Sequence, residues 1–135
     1  MGSEVINNFT PRALQVLALA RKEADLLHHT VLGTEHLLLG LTRLGEGLAI
    51  YILHEHGLSL EKVRIEVEKR VGVGQGPNVI GHIKYSAELK RAIAFAVKEA
   101  KKLNHDYLSI EHLLLGLLRE RNGAAAKILA DFGME

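Results

Sequence analysis

The stretch Thr34–Leu41 reads TEHLLLGL, and Ile110–Leu117 reads IEHLLLGL, so the chain contains nearly the same eight residues twice. The two copies lie 76 positions apart. Residues 9–57 align with residues 85–133 without a gap, and about twenty of these fifty positions are identical. A repeat of this length indicates a duplicated structural unit. It leaves open whether a binding site was duplicated with the fold.

The hydrophobic residues around these motifs follow the 3.6-residue period of helices, and strand signals are almost absent, which predicts an all-α fold. Capping residues and glycine stops predict four helices in the first half and three in the second. The predicted starts are Thr10, Thr34, Gly47 and Ser59 in the first half, and Ser86, Ser109 and a last helix running to about Asp131 in the second.

The repeat predicts one compact domain over residues 8–134, with repeat one at 9–71 and repeat two at 85–134. Two copies are too few for an open solenoid, so the halves are expected to pack together around a pseudo-twofold axis. Between them, residues 72–84 read GVGQGPNVIGHIK. Glycine-rich segments of this kind usually act as flexible linkers, and we expect that here.

Composition excludes several classes of function. The net charge is +1 with histidine neutral, so no overall field favours nucleic acid or an anionic membrane. There is no cysteine, which excludes disulfides and thiolate chemistry. No segment approaches the roughly 20 apolar residues that a membrane-spanning helix needs. We therefore expect a cytoplasmic protein.

Glu35 and Glu111 fall in the first turn of a helix, where the helix dipole favours a carboxylate. They could be capping devices only. Alternatively, each carboxylate could receive a cationic group, for which guanidinium is the natural bidentate partner. Both interpretations remain open from the sequence alone.

The eight histidines do not predict a metal site, because neither HExxH nor E-x-x-H occurs in the chain. His54 and His56 lie at a spacing that is not diagnostic for a metal. No nucleophile elbow, phosphate-binding loop or cysteine is present either. The sequence therefore predicts a protein that is not an enzyme and that needs no cofactor.

Two further features bear on packing. Gly40 and Gly116 lie inside the two apolar helices, where glycine costs about 1 kcal/mol relative to alanine, so a close helix–helix approach is expected there. The fourth helix carries a stripe of Val63, Val67 and Val71 that has no counterpart in the second half. A bare apolar face in the second half predicts weak self-association.

Four stretches of the chain together resemble the Clp amino-terminal repeat domain, most similar to the ClpC branch. The stretches are FTPRALQVLALARKEA, GTEHLLLGL, GEGLA and YSAELKRAIAFAVKEAKKLNHDYLSIEHLLLGLLRE. The resemblance covers about residues 8–134. It implies an all-helical domain that heads an AAA+ unfoldase and recruits adaptor proteins and unfolded or arginine-phosphorylated substrates. The chain lacks the ATPase motifs, so it is expected to be either an excised domain or a stand-alone interaction protein that binds adaptors outside the ATPase.

The resemblance also implies candidate phosphoarginine-binding residues. In that family the pocket uses the repeated glutamate, a hydroxyl at the start of the preceding long helix, and a nearby basic residue. On this basis Glu35 and Thr10 form one pocket, in which Asn8 stands where a basic residue is expected. The second pocket would consist of Glu111, Ser86 and Lys90, and we expect it to bind more tightly.

Overall fold

The computed structural model describes residues 8–135 and contains seven helices within that range. In chain order the elements are α1 (Pro11–Leu26), β1 (Val31–Leu32), α2 (Thr34–Leu44), α3 (Leu48–Glu55), α4 (Leu60–Val71), β2 (Lys84–Tyr85), α5 (Ala87–Lys102), α6 (Ile110–Arg119) and α7 (Ala124–Asp131).

The prediction of an all-α fold with four helices followed by three is confirmed. Helices α1, α2 and α3 correspond to α5, α6 and α7, and their bounds agree with the shift of 76 positions. Within each half the long first helix packs along the buried second helix, and α4 packs against both α2 and α7. No single helix among residues 8–135 is long and apolar enough to cross a membrane. Only α2 and α3 taken together pass that test, and they are bent by 101°.

The two repeats exchange backbone hydrogen bonds just before their long helices. Strands β1 and β2 are parallel, with Leu32 opposite Tyr85, and the Ser86 amide donates to the Leu32 carbonyl at 2.8 Å. The equivalent contact joins Phe9 to Leu108 in an isolated parallel bridge. In both cases the segment before the long helix of one repeat pairs with the segment before the helix that carries the glutamate, α2 or α6, of the other repeat.

Helices α1 and α2 approach so closely that α1 can present only small side chains to the contact. A β-carbon added to Gly40 would lie 2.5 Å from the Val16 carbonyl oxygen and 3.2 Å from the Ala20 β-carbon. Gly116 meets the Ala92 carbonyl oxygen on α5 in the same way. The structure confirms the close approach that the repeated glycines predict.

The buried face of α1 differs from the one that its leucines suggest. In the sequence, Leu14, Leu17, Ala18, Ala24 and Leu27 form an apolar stripe with helical spacing, yet Leu14 is 56% exposed. The fully buried apolar residues of α1 are Ala13, Val16, Ala20 and Ala24. Because α2 lies so close, small side chains fill this contact and the larger leucine points outward.

The glycine-rich segment 72–84, predicted to be a flexible linker, forms specific hydrogen bonds with the first repeat. The Arg21 guanidinium donates to the carbonyls of Val79 and Gly81, both at 2.6 Å. The Gly74 amide donates to the Leu27 carbonyl at 2.8 Å. A side chain at Gly74 would collide with the His28 carbonyl, so this glycine serves a close backbone contact.

Helix α4 covers the first repeat with fewer residues than its valine stripe predicts. Val63 and Val67 are fully buried, whereas Val71 is 44% exposed. Arg64 on the same helix donates to the buried carboxylate of Glu23 through Nε at 2.9 Å and Nη2 at 2.8 Å. Burial raises the pKa of Glu23, but the hydrogen bonds and charges of its arginine partners outweigh burial and lower it overall.

In the second half, no further helix follows α7 among the described residues. An open cavity of about 220 Å³ lies beside α7 and the end of α6. It is lined by Leu118, Arg121, Ala126, Lys127, Ala130, Met134 and Glu135.

Candidate functional site

Surface cavities lie at both repeated glutamates. Glu111 lines one of about 440 Å³, and Glu35 lines one of about 230 Å³ and another of about 300 Å³ on the side of His29 and Gly74. The 230 Å³ cavity is the repeat equivalent of the one at Glu111, and we call it the Glu35 cavity. The Glu35 cavity is lined by Val31, Gly33, Thr34, Glu35, Ser86, Glu88, Asn122, Gly123 and Ala124. The Glu111 cavity is lined by Thr10, Pro11, Arg12, Gly47, Ser109, Ile110 and Glu111. In the repeat alignment, with its shift of 76 positions, six of these seven residues are equivalent to residues that line the Glu35 cavity. The binding-site candidate is therefore duplicated together with the fold.

Each cavity is built from both repeats. Glu35 belongs to repeat one, but the long-helix hydroxyl in its cavity is that of Ser86 from repeat two. Glu111 belongs to repeat two and shares its cavity with Thr10 from repeat one. The crossed backbone pairing of Leu32 with Tyr85 and of Leu108 with Phe9 brings these residues together.

The predicted grouping of site residues within each repeat is therefore wrong. Glu35 does not share a cavity with Thr10, and Glu111 does not share one with Ser86. Lys90 was expected beside Glu111, but it lies on α5, the helix that begins at the Glu35 cavity. Its side chain is exposed one turn after Ser86 and does not line that cavity.

The sequence analysis did not identify Arg12 and Glu88 as site residues. They lie two positions after the N-cap residues Thr10 and Ser86 of the two long helices. Arg12 lines the Glu111 cavity and forms an exposed ion pair with Glu46 at 2.8 Å. Its repeat equivalent, Glu88, lines the Glu35 cavity. The repeat alignment contained a signal, because Arg12 and Glu88 occupy equivalent positions and have opposite charges. Only the pairing between the repeats shows which cavity each of the two residues lines. Asn8, expected to weaken the first pocket, lies on the Glu111 side and donates to the Asp106 carbonyl at 2.7 Å.

The hydroxyls of Thr10 and Ser86 both act as helix N-caps. Thr10 Oγ1 accepts from the Ala13 amide at 3.2 Å, and Ser86 Oγ accepts from the Leu89 amide at 3.0 Å. A capping hydroxyl accepts through a lone pair, so its own O–H remains able to donate to an anion. Together with the positive end of the helix dipole, each helix start can receive a phosphate group.

Burial raises the pKa of the Glu35 carboxyl, and the neighbouring Glu88 carboxylate adds to this effect. The Glu35 backbone amide and His29 act in the opposite direction, but they are weaker. The carboxylate folds back against the α-carbon of Gly33, where a β-carbon would collide with it. A carboxylate that burial disfavours in this way is stabilised by a cation, which a ligand can supply.

The histidine after each glutamate completes the cap of its own helix. His36 Nδ1 accepts from the Gly33 amide at 2.8 Å, and His112 Nδ1 accepts from the Ser109 amide at 2.9 Å. The second ring nitrogen of His36 contacts His29 Nδ1 at 2.8 Å, and His112 contacts His105 at 2.9 Å. No group of three or more metal-binding side chains occurs within residues 8–135.

Thr34 was expected to cap α2, but it caps α7 instead. The residue before α2 is Gly33, and Thr34 Oγ1 accepts from the Ala125 amide at 3.2 Å, across the two repeats. The equivalent residue in repeat two is Ile110, which lies against Gly47 at the start of α3. The polar cross-repeat cap at one cavity is thus replaced by an apolar contact at the other.

A family model described as the Clp repeat (R) N-terminal domain matches residues 8–132. The chain is 45% identical over 130 residues to the chaperone protein ClpB of Oceanobacillus iheyensis. It is 46% identical over 130 residues to the negative regulator of genetic competence ClpC/MecB of Bacillus subtilis. Each alignment covers 96% of this chain and 16% of the relative, so the chain spans about one sixth of these curated relatives.

Solved structures show the same fold. The N-terminal domain of the chaperone ClpD from Arabidopsis thaliana superposes with a TM-score of 0.77 at 26% identity, covering 97% of this chain and 91% of that one. The Hsp104 N-terminal domain from Candida albicans gives a TM-score of 0.73 at 18% identity, covering 95% and 83%. The second likeness concerns the fold alone.

Proposed function

Because this chain belongs to the Clp repeat (R) N-terminal domain family, we propose that it is the recognition module of a Clp-type ATP-dependent unfoldase. In this role it binds adaptor proteins and substrates, including proteins marked by arginine phosphorylation. The domain of this family is a non-catalytic module of AAA+ chaperones, so the chain's part is recognition and not turnover.

The observation that carries the proposal is the pair of equivalent cavities, each with a carboxylate from one repeat and a capping hydroxyl from the other. Phosphoarginine has a guanidinium and a phosphate in one side chain. A carboxylate suits the guanidinium, and a capped helix start suits the phosphate. Each cavity has both groups in its lining.

In the Glu111 cavity, the carboxylate receives the guanidinium, while the Thr10 hydroxyl, the start of α1 and Arg12 receive the phosphate. Arg12 must leave Glu46 to do so. Since exposed ion pairs contribute only about 0–1 kcal/mol, a doubly charged phosphate can compete for this arginine. The pair is exposed on both sides, with 52% and 66% of the two side chains accessible.

In the Glu35 cavity, Glu35 receives the guanidinium and Ser86 donates to the phosphate. Lys90 can approach from one turn along α5, but Glu88 lines the cavity and repels an anion. Losing a charged hydrogen-bonding partner typically costs about 1.5–3 kcal/mol, or about ten- to a hundredfold in affinity. We therefore propose that the Glu111 cavity binds more tightly.

Calorimetric titration with free phosphoarginine tests the proposal. Two sites are expected in the wild type, the stronger abolished by Glu111→Ala and the weaker by Glu35→Ala. Glu61→Ala is the matched control, because Glu61 is an exposed glutamate in the first turn of α4 that lines neither cavity. Absence of binding at millimolar phosphoarginine, or equal binding by the Glu35→Ala/Glu111→Ala double variant, would leave the glutamates as helix caps only.

A further inference from the structure

The two cavities are equivalent in position but differ in the side chains that surround them. At four pairs of repeat-equivalent positions the residue on the Glu111 side is more apolar. The pairs, with the Glu111 side first, are Leu14 and Lys90, Leu48 and Ala124, Tyr51 and Lys127, and Ile110 and Thr34. All four differences have the same direction.

Three of the apolar residues are exposed and follow residues that line the Glu111 cavity within about one helical turn along the chain. Leu14 lies one turn after Thr10 on α1, and Leu48 directly follows the cavity residue Gly47. Tyr51 lies one turn after Leu48, on the same side of α3. Their exposed fractions are 56%, 61% and 61% for Leu14, Leu48 and Tyr51.

The fourth residue, Ile110, lines the cavity and is only 4% exposed. Its Cδ1 atom lies 2.9 Å from the point where a β-carbon on Gly47 would stand, so it closes the cavity wall next to α3. The Glu111 cavity therefore has an acidic group, an apolar wall and an exposed apolar rim. We define the rim as Leu14, Leu48 and Tyr51.

Core packing does not account for the rim, since more than half of each side chain is accessible. Single exposed apolar residues are common, but a group of them beside a cavity with a charged side chain is typical of a ligand site. Around the Glu35 cavity, the positions equivalent to the rim carry two lysines and one alanine, which offer little apolar area.

We propose that the two cavities have diverged in the sequence context that they read. The Glu111 cavity takes a guanidinium-bearing residue flanked by aliphatic residues, as in a segment released from the core of an unfolding protein. The Glu35 cavity takes the same residue in a polar segment. The carboxylate determines the central residue, and the rim determines its neighbours. This inference rests on the proposed function, because it assumes that a guanidinium occupies each cavity.

Two peptide probes separate the two contexts: acetylated tripeptide amides with a central phosphoarginine flanked by leucine or by serine. The Glu35→Ala variant leaves only the Glu111 cavity, and Glu111→Ala leaves only the Glu35 cavity. In Glu35→Ala we expect the leucine-flanked peptide to bind about tenfold more tightly than the serine-flanked one, because the rim covers its side chains. In Glu111→Ala we expect the two affinities to agree within about twofold.

The rim is tested by adding Leu14→Ala, Leu48→Ala and Tyr51→Ala to the Glu35→Ala background. The preference for leucine should disappear, while the affinity for free phosphoarginine stays within about twofold. Leu26→Ala is the matched control, because Leu26 is 63% exposed at the C-terminal end of α1, the end opposite to the Glu111 cavity, and it should keep the preference. Equal flank preference in both cavities, or a preference that survives loss of the rim, overturns the inference while leaving the proposed function intact. If neither the peptides nor free phosphoarginine bind, both are wrong.

Discussion

His36 is buried, with 1% of its surface exposed, and belongs to a chain of hydrogen bonds. The geometry of these bonds determines the tautomers of His36 and His29. The Gly33 amide donates to His36 Nδ1, so His36 Nε2 must carry the proton that it donates to His29 Nδ1. His29 Nε2 then donates to the Gly72 carbonyl at 2.9 Å. The unprotonated nitrogen of each ring, Nδ1, already accepts a hydrogen bond. Neither histidine can therefore bind an additional proton without breaking one of these bonds.

This arrangement predicts a loss of stability in mild acid. Burial, and then the charge of His29, lowers the pKa of His36 from 6.5 to about 4, although Glu23 acts in the opposite direction. The folded state therefore binds fewer protons than the unfolded state between these values. The contribution of His36 to the free energy of unfolding, about 3 kcal/mol, is fully present above pH 6.5 and is lost as the pH drops towards 4.

The measurement is the free energy of unfolding between pH 7.5 and 4 for the wild type and for His36→Gln. A glutamine at this position can still accept from the Gly33 amide, as in a standard capping box, but does not titrate. The variant should lack the part of the pH dependence that His36 contributes. His112, whose pKa is also lowered by burial, should keep a dependence of the same sign. Parallel curves for the two proteins would show that His36 is not the group that titrates.

Single residues differ in how far the sequence could place them. The repeated motif identified Glu35 and Glu111, because chemistry and position recur together. It could not reveal that Thr34 caps a helix 91 residues away, since that hydrogen bond depends on how the repeats cross. Arg12 was missed for the same reason, because its cavity exists only after the two halves have paired.

At the scale of the helix, the repeated glycines determine how each pair packs. Gly40 allows α2 to lie against the backbone of α1 at Val16 and Ala20, and Gly116 allows the same contact with α5. This closeness explains why the core face of α1 is made of alanine and valine. Helix bounds could be predicted from caps and glycine stops, which are local, but the buried face of α1 depended on the distance to its neighbour.

We expect Gly40→Ala and Gly116→Ala to lower the free energy of unfolding by about 1–3 kcal/mol each, with larger losses for valine. The reason is that even one β-carbon meets a backbone carbonyl oxygen, which cannot move aside as a flexible side chain can. Chemical denaturation measures the effect. Gly76→Ala is the control, because a β-carbon there meets no atom within 4 Å. Denaturation curves of Gly40→Ala and Gly116→Ala that match the control would show that the helices do not touch at these glycines.

At the scale of the whole molecule, the two repeats form one unit because the segment before the long helix of each repeat pairs with a segment of the other repeat. The sequence predicted the pseudo-twofold pair and the length of each copy, because both follow from the shift of 76 positions. It could not predict which hydroxyl lies beside which glutamate, since a duplicated sequence is equally compatible with pairing within or between copies. Nor could it predict the contacts of residues 72–84, in which Arg21 and His29 donate to backbone carbonyls more than forty positions away.

The open cavity beside α7 still predicts weak self-association. The apolar part of its lining, Leu118, Ala126, Ala130 and Met134, offers area that a second molecule can cover. Sedimentation at increasing concentration should show partial dimerisation, and Ala130→Glu should restore the monomer by placing a charge in the cavity lining. Ala18→Glu, at an exposed alanine of α1, should dimerise like the wild type. A wild type that remains monomeric at the highest concentration would contradict the prediction.

The central claim is that each binding cavity is shared between the repeats, and phosphoarginine titration of paired variants tests it most directly. In the Glu35→Ala background only the Glu111 cavity remains, so Thr10→Ala should weaken binding by about tenfold or more, whereas Ser86→Ala should not. In the Glu111→Ala background the two effects should exchange. Both hydroxyls are N-caps of equivalent long helices, so each substitution is the stability control for the other. The opposite pattern, with Ser86→Ala weakening the Glu111 site and Thr10→Ala weakening the Glu35 site, would contradict the shared cavities.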